Sequence, residues 1–103
     1  MNASQLFEQQ KAEALRGNAQ AQVYLGYCYH SGKGVPKNVG EAMKWYRKAA
    51  EQGVAVAQNC LGRCYANGYG VAKDYQQAKT WYRKAADAGD ENAKKCLAEL
   101  GAQ

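Results

Sequence analysis

The chain has 103 residues, 47% of them apolar, with 14 Lys and Arg against 9 Asp and Glu for a net charge of +5. One large globular core is out of reach at this length, and no apolar run approaches the roughly 20 residues that cross a bilayer. The opening MNASQLFEQQ is polar, without the apolar stretch of a secretory leader. These features exclude membrane insertion and favour the cytoplasm, with a periplasmic or secreted setting open to a chain whose leader has been removed.

Sliding the chain against itself by 36 residues matches 17–52 to 53–88 at 19 of 36 positions, and WYRKAA recurs as Trp45 to Ala50 and Trp81 to Ala86. A fixed period of this size marks a repeat architecture, in which each unit buries its apolar face against its neighbours. The expected organisation of residues 1–103 is a flanking helix at 4–16, repeats at 17–52 and 53–88, and a half repeat or cap at 89–103.

In chain order, each repeat opens on an amphipathic helix. Ala21, Leu25, Cys28 and Tyr29 recur at helical spacing, and Ala57, Leu61, Cys64 and Tyr65 repeat them. The turns GKGV and GYGV follow, where glycine takes the positive φ that ends a helix. Asn38 with Glu41, and Asp74 with Gln77, have the spacing of a capping box that starts the second helix. That helix carries the stripe Ala42, Trp45, Tyr46, Ala49 and Ala50, echoed 36 residues later. Trp45 and Trp81 are expected in the core. Arg47, Lys48, Arg83 and Lys84 are expected on the solvated side as basic outer ridges. The fold class is all-α: a solenoid of antiparallel helix pairs, about six helices in a shallow superhelix.

The two stretches AQVYLGYCYHSGKGVPKNVGEAMKWYRKAAEQG and AQNCLGRCYANGYGVAKDYQQAKTWYRKAADAG resemble the Sel-1-like repeat family, a relative of the tetratricopeptide repeat. The resemblance implies a right-handed superhelix and a non-enzymatic adaptor or scaffold for protein complexes, often in bacterial signalling, envelope or host-interaction settings. Val54 departs from the pattern, since Asn18 and Asp90 stand at the matching helix starts.

Enzyme chemistry finds little material. There is one histidine, His30, one threonine, Thr80, and two serines, Ser4 and Ser31. Cys28 and His30 are two apart on one helix and point to different sides. GYCYHSGK misses the spacing and the final Ser or Thr of a phosphate loop, and GKGVPK follows a helix where a dinucleotide turn follows a strand. No catalytic residue, cofactor or metal site is expected. Cys28, Cys60, Cys64 and Cys96 read as buried free thiols. The equal 32-residue separations of Cys28 from Cys60 and Cys64 from Cys96 leave paired disulfides open, and short CxxC knuckles for zinc are missing. A cysteine-rich branch of the resembled family is linked to β-lactams, but its cysteine near the end of the second helix is replaced here by alanines, which ranks that reading last.

The repeats disagree along one face of the first helix: Gln20/Val56, Val23/Asn59, Tyr27/Arg63, His30/Ala66 and Ser31/Asn67. In the related tetratricopeptide solenoids this face lines a concave groove. The resemblance therefore implies a peptide- or protein-binding surface at Gln20, Val23, Tyr27, His30, Val56, Asn59, Arg63, Asn67 and Lys95, with an acidic peptide as the suited partner. The alternative is a basic surface for nucleic acid or another anion, which the net charge allows but the scattered basic positions disfavour.

Overall fold

The computed structural model describes residues 1–101; the last two residues of the expected cap, 102–103, lie outside the described residues. Six helices follow one another: α1 (Ala3–Leu15), α2 (Ala19–Ser31), α3 (Val39–Glu51), α4 (Ala55–Asn67), α5 (Tyr75–Asp87) and α6 (Glu91–Gly101), with no strand among the described residues. Helices α1, α3 and α5 begin at residues 3, 39 and 75, and α2, α4 and α6 at 19, 55 and 91. Both helix types thus recur at the 36-residue period of the sequence. Packing runs mainly between helices adjacent in the chain, and the molecule is elongated, 44 × 23 × 17 Å.

The repeated tryptophans hold this stack together. Trp45 packs with Leu25 and Cys28 of α2 and with Phe7 and Ala14 of α1. Trp81 belongs to the larger cluster that contains Met43, Ala50, Leu61 and Cys64, the same four positions one period on. Each indole therefore shares a core cluster with residues of the first helix of its repeat and of the second helix of the preceding unit. Both are only 8% exposed. The exposed faces are roofed by Lys48, 5.7 Å from the Trp45 ring centre, and Lys84, 4.4 Å from that of Trp81.

Two glycines per repeat set how closely the helices approach. A Cβ on Gly26 would lie 2.6 Å from the Tyr46 ring, and one on Gly62 would lie 2.7 Å from the Tyr82 ring. The second glycine of each turn, Gly34 or Gly70, has φ near +75° or +70° and faces the carbonyl of Ala3 or Val39 at the start of the preceding unit's helix. A side chain there meets both a strained backbone and a clash.

Helix ends differ from the expected capping boxes. Asn38 accepts from the Glu41 N–H at 3.1 Å, but the reciprocal bond is not formed, because the Glu41 carboxylate lies 3.5 Å from Lys44 instead. Asp74 accepts from both Gln76 and Gln77 N–H groups. The complete box occurs at Asn2 and Gln5, at the start of α1. Asn18 and Asp90 cap α2 and α6, whereas Val54 leaves α4 with no side-chain cap.

A second correction concerns the outer ridge. Lys48, Arg83 and Lys84 are exposed, but Arg47 is half-buried and donates to the Tyr65 hydroxyl of α4. Position 47 lies beside the next repeat, so its guanidinium stays within the fold, where a buried phenol needs a partner.

Candidate functional site

Where α2 and α4 stand side by side on α3, they leave a hollow of about 290 Å³. Tyr27 and His30 of α2 form one wall, and Arg63 of α4 forms the other. Val39, Ala42 and Tyr46 of α3 make the floor with Cys60 and Cys64, and Tyr69 from the GYGV turn closes one end. The His30 and Tyr69 rings lie 6.0 Å apart, tilted by 39°. Lys33 rides over the rings of Tyr24 and Tyr27 at 5.6 and 5.7 Å.

A second hollow, about 270 Å³, lies one repeat further along. Its lining includes Arg63, Asn67, Tyr75, Tyr82, Cys96, Glu99 and Leu100. Most of these are the first hollow's residues advanced by 36: Tyr27 becomes Arg63, Val39 becomes Tyr75, Tyr46 becomes Tyr82, Cys60 becomes Cys96, Arg63 becomes Glu99 and Cys64 becomes Leu100. Arg63 serves both. The first hollow is apolar with one cation at its rim; the second carries opposite charges.

Burial keeps the floors neutral. It pushes the Cys64 thiol up to about 11, with neighbouring Cys60 adding to the rise. Cys60 is raised by burial as well, against the pull of the Arg63 guanidinium, and Cys28 likewise by burial. Burial and the nearby thiols of Cys60 and Cys64 hold the Tyr46 phenol far above its ordinary range, and Tyr82 is held up by burial and Cys96. A thiol kept protonated is a poor nucleophile and a poor metal ligand. All four cysteines are free, so the 28–60 and 64–96 pairings are not made in this structure. No group of three or more His, Cys, Asp or Glu side chains is placed to hold a metal among the described residues.

Of the nine residues singled out in the sequence, Tyr27, His30 and Arg63 meet around the first hollow, and Arg63 and Asn67 line the second. Gln20, Val56 and Lys95 are exposed but line neither; Val56 stands 54% open to solvent. Val23 is half-buried and packs against the larger core. Asn59 is the exception on this face: it is 8% exposed, and its Oδ1 is covered and makes no hydrogen bond among the described residues. The amide expected to line the groove is thus turned inward. Sequence reasoning missed Tyr69, Tyr46 and Glu99. Tyr69 against Lys33 in the matched turn was the visible signal for the first, and the position one period beyond Arg63 was the signal for Glu99.

An elongated helical stack with hollows repeated at its own period is the layout of a repeat protein that presents an extended surface. The Sel1 repeat model matches residues 19–54 and 55–90, and the chain belongs to the Sel1 repeat family. It superposes on a Sel1 repeat protein from Oxalobacter formigenes with a TM-score of 0.90 at 43% identity, over 93% of this chain and 40% of that one. It also superposes on Helicobacter pylori cysteine rich protein B with a TM-score of 0.88 at 29% identity, over 94% of this chain and 73% of that one. A 37-residue stretch is 49% identical to the DAP3-binding cell death enhancer 1 of Rattus norvegicus, covering 36% of this chain and 7% of that protein. The chain spans less than a tenth of the length of the curated relatives it matches. Sel1 repeats are in general protein-interaction scaffolds of a non-enzymatic type, and no helix here is long and apolar enough to cross a membrane.

Proposed function

We propose that this chain is a protein-interaction module that holds a peptide segment of a partner along the face shared by α2, α4 and α6, with an acidic group of the partner on Arg63. The observation that carries this reading is the first hollow: apolar and uncharged on its floor, aromatic on its walls, and open at a rim where Arg63 makes no ion pair among the described residues. Such a pocket takes one apolar side chain, while the guanidinium fork binds a carboxylate through paired charge-assisted hydrogen bonds. The rat relative is named for binding another protein, which fits the same class of role. On the outer face, Lys48 and Lys84 are engaged over tryptophan rings and Arg47 by Tyr65, which favours this face over a basic ridge as the binding surface.

Binding of fluorescent peptides, selected on the intact chain from an acidic library, tests the reading. Tyr27→Ala with Arg63→Ala is expected to weaken capture by roughly tenfold or more, each side chain being worth ~1 to 2 kcal/mol as an anchor. Helix content and melting should stay close to wild type, since Tyr27 is 49% exposed and Arg63 is exposed. Arg83→Glu on the outer face serves as the control. Loss of binding in the control with retention in the groove variant would overturn the assignment of the face.

A further inference from the structure

Positions 27, 63 and 99 are one period apart, so Tyr27, Arg63 and Glu99 occupy the same register on α2, α4 and α6. All three are exposed, and they line the two hollows in succession: Tyr27 the first, Arg63 both, Glu99 the second. Arg63 and Glu99 share the second hollow without forming an ion pair. The bridges found among the described residues, Glu13 with Arg16, Glu41 with Lys44 and Glu91 with Lys94, are all within single helices. A ligand lying across the three helices therefore meets an aromatic ring, a cation and an anion in that order, with neither charge ion-paired among the described residues.

We infer that this face selects the charge order of its partner. The occupant is a peptide segment of another protein that carries an apolar side chain for the hollow between α2 and α4. Next comes an acidic side chain for Arg63, and then a basic side chain for Glu99, in one direction along the chain. A peptide with the two charges exchanged sets its base against Arg63 and its acid against Glu99, and one laid the opposite way with its acid on Arg63 drives its base into the apolar hollow and leaves Glu99 unpaired. Like-charge contacts in the first case, and a desolvated, unpaired base in the second, reject wrong partners. A uniform row of cations would bind any acidic segment in either direction; the reversal between neighbouring repeats is what imposes a direction.

The inference rests on the groove reading above, and its test separates the two. Twelve-residue random peptides displayed on phage are selected on the intact chain and, in parallel, on the double variant Arg63→Glu with Glu99→Arg. The variant's circular dichroism and melting are expected to match wild type, because both side chains are exposed. The expected result is an apolar–acidic–basic order in wild-type-selected peptides, the acidic and basic positions exchanged in the variant's set, and about tenfold or greater discrimination when each set is cross-tested. Enrichment with no charge order, or with the same order on both proteins, would overturn this inference while leaving the groove reading standing. Failure to enrich any peptide, or enrichment indifferent to Tyr27→Ala, would overturn both.

Discussion

Helices α3 and α5 share Trp, Tyr, Arg, Lys and two Ala in an unbroken block, whereas α2 and α4 agree at the positions buried in both and differ along one face. The inner side of each second helix packs on the first helices before and after it, so most of its side chains there meet a fixed neighbour. The first helix buries Leu25 or Leu61 and Cys28 or Cys64, and leaves Tyr27 or Arg63 free. Where packing demands the same neighbour in each unit, the residue recurs. Along the open face of the first helix, where no such neighbour is met, Tyr27 and Arg63 differ.

The hardest test of that contrast is to remove the recurring indoles. Trp45→Ala and Trp81→Ala should each cost ~3 to 5 kcal/mol, as truncation of a buried large aromatic does. Urea titration reads this directly, and a loss under about 1 kcal/mol would mean that the tryptophans are not the joints between units. The second test adds a methyl where two helices approach. Gly26→Ala and Gly62→Ala each drive a Cβ into a tyrosine ring and should cost ~1 to 3 kcal/mol by overpacking. If Tyr46→Leu removes most of the Gly26→Ala penalty, the ring contact is its source.

The thiols give a pH test. Cys64 is raised from 9.0 to about 11 in the folded chain, so between those values the unfolded chain loses a proton that the folded chain keeps. Stability contributed by the protonated thiol is complete below pH 9, declines as pH rises, and levels off above 11. The urea midpoint should be lower at pH 10.5 than at pH 8, and Cys64→Ala should reduce that difference. The raised Cys60, Tyr46 and Tyr82 groups act in the same direction, so part of the decline remains in the variant.

The smallest effect distinguishes the two repeats most finely. Gln22 Nε2 donates to the Ala14 carbonyl at 3.1 Å, and its Oε1 accepts from Gln52 Nε2 at 2.9 Å. One period on, Gln58 Nε2 donates to the Ala50 carbonyl at 3.2 Å, but Ala88 stands where Gln52 would, and Gln58 Oε1 is buried without a partner among the described residues. Ala88→Gln should supply the missing donor and stabilise the chain by about 0.5 to 1.5 kcal/mol. An unchanged thermal midpoint would show that the two helix ends are not equivalent.

The period, the helix–turn–helix grammar, the family and the buried tryptophans are all legible in the residues alone, because each depends on spacing within one helix or between identical units. The face carrying Tyr27 and Arg63 is legible too, as the place where the units disagree. Divergence, however, only says that a position is not locked to a recurring neighbour; it does not say whether that position is open. Asn59 differs from Val23 and is nevertheless buried, while Glu99 lies in a helix too short of repeat matches to draw notice.

Local pattern thus determined which residues form each helix and which side of it is apolar, since helix periodicity and capping act over a few residues. Tertiary structure alone decided the contacts between units: Arg47 on Tyr65, Gln22 and Gln58 on the carbonyls that end the preceding helices, and Tyr69 swinging from its turn over His30. These depend on the small rotation and offset with which one repeat settles on the next. That offset is the joint outcome of every glycine and ring at the interface, so no single stretch of the chain encodes it.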